Sequence, residues 1–363
     1  MRNIYLCFER PKAGAYVGGL VGLCDSYEKN NNLFNDLGYN ICFFNYSLKS
    51  TSFLNKMPKL RNLIYGIKQA RHLVKDLAHD KDAILHIHTS RRFLFLKDIL
   101  LAYYVNAKLG KKAVLTIHVG DINTVFTSNI ISRWAIALMN KCLDKVIFLS
   151  YRMRDQFEEK GLKKNIGEVV YNFFDVRICP PEEKTKNKIS RIIYIGSINR
   201  EKGIFELFDA LMSINEPYHF DLCGTILEED IKQDIYSYIS QMGDKITYHG
   251  YVNLEQKEAL MSRADILVLP SYREGLPISI LEALSNSCAV IATPVGAIPE
   301  ILSSDNAVIV PPKNADLLKQ ALIGLIVDEK LRSTMQANNF VTSNNYSVES
   351  HIHKIAAIYD TAN

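Results

Sequence analysis

Two acidic residues in the second half of the chain, Glu274 and Glu282, stand eight positions apart in a segment that follows a predicted strand. Pro277 lies between them and suits the first turn of a helix. We therefore expect Glu274 in the loop before that helix and Glu282 about one turn inside it. Carboxylates accept hydrogen bonds from hydroxyl groups, so one could hold a hexose and the other a ribose. An acidic pair at this spacing also occurs by chance on a solvated helix face.

A second candidate is the segment from Gly196 to Gly203, which reads G-S-I-N-R-E-K-G and joins a predicted strand to a predicted helix. Its small residues let the backbone approach an anion, and a helix amino terminus offers free N–H groups and positive potential. Lys202 adds a full charge, so the turn suits a diphosphate. The spacing is neither that of a P-loop nor a G-x-G-x-x-G fingerprint. An ordinary turn with a surface lysine is the alternative.

The elements that must position these residues alternate between short β-branched runs and helical stretches. Strands buried on both faces and joined by helices predict an open, mostly parallel α/β sheet. The first half repeats the theme with longer spacings, including helices over Leu20–Leu37 and Leu60–Leu77. The predicted fold class is therefore α/β, with two doubly wound Rossmann-like domains facing a cleft. In such sheets ligands bind outside the carboxyl ends of the strands.

The domain limits follow from composition. A first domain is predicted over residues 1–180, a linker over 181–190, and a second domain over 191–344. The linker prediction rests on prolines, dense charge and the absence of an apolar period. A last helix within 345–363 is expected to pack back on the first domain.

Bulk composition excludes several classes of protein. The seven cysteines are far apart and odd in number, which indicates a reducing compartment and makes a zinc site improbable. No segment approaches the roughly 20 apolar residues of a membrane span, and the amino terminus does not resemble a signal peptide. We therefore expect a cytoplasmic protein, or a peripheral one on the inner face of a membrane. Residues 1–185 hold 28 lysines and arginines against 17 acidic residues, whereas the remainder holds 15 against 22.

The motifs in order resemble the retaining glycosyltransferases of the two-Rossmann (GT-B) type, family four. The resemblance is strongest from Ile192 to about Leu302. It rests on the strand-G-x(5)-K-G turn, H-G-Y-V at His249, P-S-x-x-E-G-L-P-x-x-x-L-E-A from Pro270, and T-P-V-G at Thr293 followed by P-E-I. One departure is Ser197, because family members often have arginine directly after the first glycine of the turn. Arg200 could supply that charge from a different position.

The resemblance implies roles for individual residues. Glu274 would contact the hydroxyls of the donor sugar, Glu282 the ribose, and Lys202 the diphosphate. The segment Gly250–Val252 would lie against the base. His118, at a strand end, resembles the active-site histidine of the family, and a structural histidine is its alternative. The implied catalytic residues are His118, Glu274 and Lys202. The implied donor-binding residues are Gly18, Gly19, Ser197, Arg200, Lys202, Tyr251, Val252, Glu274, Gly275, Leu276, Pro277, Ile278 and Glu282.

Other polar residues receive less specific interpretations. His86 and His88 alternate on a strand and are interpreted as structural or acceptor-side residues. Asn172 and Asp175 resemble the family segment that precedes the crossover between the domains. Asp80-Lys81-Asp82 has the D-x-D spacing of a manganese site but is interpreted as a charged turn. We expect no metal and no cofactor, because Lys202 and helix termini supply positive charge.

The predicted activity is transfer of a hexosyl group, with retention, from a UDP-sugar or, second, a GDP-sugar. The expected acceptor is a glycan or lipid-linked glycan in cell-surface polysaccharide assembly. The basic residues of Leu60–Leu77 and Arg91–Leu96 could contact an anionic membrane, although a normal core helix explains the first equally well. A nucleotide-sugar epimerase of the same architecture and an inactive sugar-nucleotide-binding scaffold are the alternatives. Nucleic-acid binding is not expected, since no recognition motif is present.

Overall fold

The computed structural model describes residues 1–8, 19–45, 70–89, 92–118, 122–126 and 129–362. The chain forms two compact units. Unit 1 comprises Met1–Tyr171 with Val348–Asn363, and unit 2 comprises Asn172–Ser347. The predicted α/β class with two doubly wound sheets is confirmed by the strand pairing of both units.

Unit 1 contains a parallel sheet of six described strands in the order β2-β1-β3-β4-β5-β6. The central strand β3 is buried at every position, as expected for a parallel strand covered on both faces. The order reverses between β1 and β3, which is the flavodoxin-like switch point. The strands are β1 Arg2–Phe8, β2 Tyr39–Asn45, β3 Ile84–Thr89, β4 Lys112–Ile117, β5 Lys145–Phe148 and β6 Gly167–Val169.

Helices cover both faces of this sheet. They are α1 Gly19–Lys29, α2 Asn31–Asp36, α3 over residues 70–79, α4 Arg92–Leu109, α5 Ile122–Val125, α6 Asn129–Cys142 and α7 Tyr151–Glu159. The prediction of a single helix over Leu20–Leu37 is wrong, because the helix is interrupted at Asn30, between α1 and α2. The Asn30 side chain donates a hydrogen bond to the Ser26 carbonyl (2.9 Å), which competes with helix continuation.

Unit 2 contains six parallel strands in the order β12-β11-β10-β7-β8-β9. Read from β9, this is the Rossmann order 3-2-1-4-5-6, with its switch point between β7 and β10. Strands β10 and β11 are fully buried. The strands are β7 Ser190–Ile195, β8 Tyr218–Cys223, β9 Ile246–Gly250, β10 Ile266–Leu269, β11 Ala289–Ala292 and β12 Ala307–Ile309.

The helices of unit 2 are α8 Ile204–Met212, α9 Lys232–Met242, α10 Leu254–Arg263, α11 Ile278–Ser285, α12 Ile298–Ile301, α13 Ala315–Val327 and α14 Glu329–Ser343. The last helix, α15 Val348–Thr361, lies in unit 1, where the Tyr359 hydroxyl is 2.7 Å from Nδ1 of His86.

The structure differs from the predicted domain limits. The expected linker lies within unit 2, whose boundary falls after Tyr171 rather than after residue 180. Lys184 donates to the Asn286 carbonyl (2.6 Å), and Asn187 donates to the carboxylate of Asp265 (2.9 Å). Side-chain hydrogen bonds, which leave no apolar period in the sequence, therefore fix this segment to the unit.

Candidate functional site

The turn after β7 is held in shape by Asn199 and Gly203. The Asn199 side chain accepts a hydrogen bond from the Lys202 amide (3.1 Å), which caps a short 3₁₀ turn. Gly203 has φ +66°, and a Cβ there would lie 2.2 Å from the carbonyl oxygen of Pro270. Glycine is required because this turn touches the end of β10 directly. Ser197, at the start of the turn, is buried.

The loop after β10 carries Glu274 and is held in place by hydrogen bonds to its backbone carbonyl groups. Gly275 accepts a hydrogen bond from the Ala297 amide (2.8 Å), and Leu276 accepts one from the Asn172 side chain (2.8 Å). Gly296 has φ +59°, and a Cβ there would lie 2.3 Å from the carbonyl oxygens of both Glu274 and Gly275. Backbone geometry therefore fixes this segment tightly.

Lys202 and Glu274, which come from the two loops at the switch point, are in direct contact. The ammonium lies 2.6 Å from Oε1 of Glu274, and the two side chains are 22% and 10% exposed. Partial burial makes such a pair stronger than an exposed one. The structure therefore brings together the predicted diphosphate cation and the predicted sugar-holding carboxylate.

Glu282 lies in α11, as the sequence predicts, and is 4% exposed. Its carboxylate accepts a hydrogen bond from the ammonium of Lys257, on α10. No sequence motif points to Lys257, because α10 and the Glu282 motif are separated by the whole of strand β10. Helix α11 begins at Ile278, directly after Pro277.

Arg200, considered as a replacement for the arginine absent at Ser197, is engaged elsewhere. Its guanidinium contacts the carboxylates of Glu228 and Asp230, each at 2.8 Å, and its side chain is half exposed. Its charge is therefore balanced by two acidic residues.

The segment after β9, predicted to lie against the base, is positioned by a β-bulge. Leu222 pairs with Tyr248 and Cys223 pairs with Gly250, so His249 is the extra residue. Its Nε2 lies 2.8 Å from a carboxylate oxygen of the buried Asp221. Gly250 then takes φ +63°, and Tyr251 is 57% exposed, followed by the partly buried Val252. Bulges of this kind redirect a chain next to a binding site.

His118 follows β4 in unit 1, is partly buried, and lies against the buried His88. Its Nε2 lies 2.8 Å from Nδ1 of His88, and the two rings stack. Burial lowers the pKa of His118 to about 4, so the imidazole is neutral at neutral pH. His86 has both ring nitrogens engaged, with Tyr359 and with Thr116 (2.7 Å each), and burial lowers its pKa to about 3. These contacts agree with a structural interpretation of His86.

Two of the remaining candidates fall at or beyond the edge of the described residues. Gly18 lies outside them, and Gly19 is the first residue of α1. Asp80–Asp82 lies between α3 and β3, where Asn3 donates to the Asp80 carboxylate (2.6 Å). Within the described ranges, no group of three or more His, Cys, Asp or Glu side chains is placed to hold a metal ion. No helix in the same ranges is long and apolar enough to cross a bilayer.

The part of the chain that contains this site matches a known protein family. Residues 179–341 match the family described as glycosyl transferases group 1. The matched segment contains the Lys202–Glu274 and Lys257–Glu282 pairs. The resemblance to glycosyltransferases seen in the sequence is thereby confirmed for this part of the chain.

Relatives support the same family across more of the chain. An uncharacterised glycosyltransferase of Methanocaldococcus jannaschii is 25% identical over 342 residues, 93% of this chain and 88% of the relative. The N,N′-diacetylbacillosaminyl-diphospho-undecaprenol α-1,3-N-acetylgalactosaminyltransferase of Campylobacter jejuni is 25% identical over 330 residues, 84% of this chain and 81% of the relative.

Solved structures show the fold. HepE of Anabaena, solved in complex with UDP, superposes with a TM-score of 0.75 at 17% identity, over 98% of this chain and 99% of its own. Sucrose-phosphate synthase of Thermosynechococcus elongatus superposes with a TM-score of 0.78 at 17% identity, over 99% and 98%. The chain therefore has the GT-B fold.

Proposed function

We propose that this glycosyltransferase moves a hexosyl group from a nucleotide diphosphate sugar, with retention at the anomeric carbon, to a glycan or lipid-linked glycan. The observation that carries the proposal is the Lys202–Glu274 pair at the switch point of unit 2, with Glu282 in the helix that follows. A cation, a loop carboxylate and a helical carboxylate in this order match a diphosphate, a sugar and a ribose. UDP is the first candidate nucleotide, since HepE was solved with it, and GDP is the second.

The chemistry assigned to the residues follows from their charges. Lys202 would stabilise the negative charge that develops on the leaving diphosphate. Glu274 would accept hydrogen bonds from the sugar hydroxyls once the diphosphate has engaged Lys202. Glu274 would position the sugar rather than attack it. The neutral imidazole of His118 suits hydrogen bonding to a hydroxyl, and its role in catalysis stays a prediction.

The acceptor is proposed from relatives. The name of the Campylobacter enzyme describes an acceptor sugar on diphospho-undecaprenol, and a teichuronic acid glycosyltransferase of Bacillus subtilis is 28% identical over 221 residues, 58% of this chain and 54% of that relative. We therefore propose a role in cell-surface polysaccharide assembly with a lipid-diphosphate-linked acceptor.

The proposed membrane contact of unit 1 rests on charge. In the described part of α3, Leu73 and Leu77 are buried in the core, whereas Arg71 and Lys75 are exposed. Contact through this helix would therefore be electrostatic and sensitive to salt. Flotation with anionic vesicles tests it, and failure of the vesicles to retain the protein at moderate salt would refute it.

A thermal-shift panel of nucleotides and nucleotide sugars tests the donor assignment. We expect one nucleoside diphosphate to raise the melting temperature and one sugar derivative of it to raise it further. Turnover followed by NMR of the anomeric proton then tests retention. Release of free epimerised sugar without an acceptor would favour the epimerase, and binding without turnover on any acceptor would favour the scaffold.

A further inference from the structure

Lys257 lies outside every motif of the sequence, yet its ammonium contacts the carboxylate that is proposed to hold the ribose. It donates to Oε1 of Glu282, which is 4% exposed. In the described part of the chain, Lys257 is the one charged side chain found in contact with that carboxylate.

The position of Lys257 is fixed by the start of α10. Asn253 and Gln256 form a reciprocal capping box, in which each side chain accepts a hydrogen bond from the other residue's amide. Lys257 follows directly, with its amide bonded to the Asn253 carbonyl (2.9 Å). The capping residue Asn253 directly follows the Gly250–Val252 segment, which is proposed to lie against the base. Lys257 therefore lies on the nucleoside side of the proposed site.

Burying a carboxylate without a partner is costly, so Glu282, at 4% exposure, needs a charged or hydrogen-bonding neighbour. The adjacent ammonium supplies that partner. An ionised acceptor forms hydrogen bonds about twice as strong as those of a neutral one. Without the lysine, the Glu282 carboxylate would lose the contact that orients it.

We propose that Lys257 is a positioning residue, which holds the carboxylate of Glu282 directed at the 2′- and 3′-hydroxyls of the ribose. The lysine thereby makes the site selective for nucleotides that carry both hydroxyls. This inference rests on the proposed function, since it presumes that a nucleotide occupies unit 2.

Isothermal titration of the full-length protein with UDP and 2′,3′-dideoxy-UDP tests it, with GDP and its dideoxy form in parallel. Lys257→Met is expected to weaken binding of the ribonucleotide about tenfold and to leave the dideoxynucleotide unchanged. Lys257→Arg, which retains the charge, should keep the selectivity within about threefold of wild type. Lys232→Met is the matched control, because Lys232 is a partly exposed lysine of α9 that pairs with Glu229.

Each outcome decides the matter. Unchanged ribonucleotide binding in a folded Lys257→Met variant, or an equal loss for both nucleotides, would overturn the inference alone and leave the proposed function standing. If that variant does not fold, a folded Lys257→Arg variant without selectivity for the ribose would overturn it. A wild-type protein that binds neither UDP nor GDP would overturn the proposed function as well.

Discussion

Acidification should destabilise unit 1 through its buried histidines. Burial lowers the pKa of His351, on α15, to about 3, as it does for His86. His351 bridges the Tyr171 carbonyl (2.9 Å) and the Tyr27 hydroxyl (2.6 Å). In the unfolded chain each histidine has a pKa near 6.5.

Between pH 6.5 and the folded pKa the unfolded state binds more protons than the folded state, so stability falls as the pH falls through that window. With a pKa of about 3 in the folded state, each such histidine costs roughly 2 kcal/mol at pH 5 relative to pH 7.5. That is a large share of the 5–15 kcal/mol that stabilises a typical domain.

The perturbation is His351→Gln, since glutamine can keep both hydrogen bonds without taking up a proton. Its loss of stability between pH 7.5 and pH 5 should be about 2 kcal/mol smaller than that of wild type. Native-state hydrogen exchange of the β3 and β4 amides is the assay, because it reports on unit 1 separately from unit 2. His353→Gln, at an exposed position of the same helix, is the control. Equal losses in wild type and His351→Gln would refute the reasoning.

Three further predictions concern the donor side. Gly296→Ala should cost about 2 kcal/mol or more and weaken nucleotide-sugar binding, because a Cβ at φ +59° would collide with two carbonyl oxygens. The control Gly324→Ala, in open space inside α13, should instead stabilise the protein by up to about 1 kcal/mol in calorimetry. Asn172→Ala should lower stability by about 1–2 kcal/mol and raise KM for the donor, since it removes the hydrogen bond to the Leu276 carbonyl, and an unchanged KM would contradict it. EDTA should leave turnover unchanged, and restoration of lost activity by added manganese would show that the metal-independence prediction is wrong.

The fold was predictable because its signals are local. The helix expected after Pro277 begins at Ile278, and fully buried strands such as β10 read as continuous apolar runs. The helix break at Asn30 and the packing of residues 181–190 were missed, since both depend on side-chain hydrogen bonds that leave no period in the sequence.

The site was predictable where it lies in contiguous motifs. Glu274, Glu282 and Lys202 could be named because each sits in a motif that follows a strand, at the edge where parallel sheets bind ligands. Lys257 could not, because its contact with Glu282 arises only when α10 and α11 pack together. Nor does the sequence show that Arg200 is engaged by Glu228 and Asp230.

The most direct test of the donor site compares Glu274→Gln and Glu282→Gln by titration with UDP and with the UDP-sugar that the panel selects. The account predicts that Glu274→Gln removes the extra affinity contributed by the sugar but keeps UDP binding, because Lys202 is then free for the diphosphate. Glu282→Gln should weaken UDP and UDP-sugar by the same factor, about tenfold. Loss of UDP binding in Glu274→Gln, or full retention of both affinities in Glu282→Gln, would contradict the assignment of sugar and ribose to these two carboxylates.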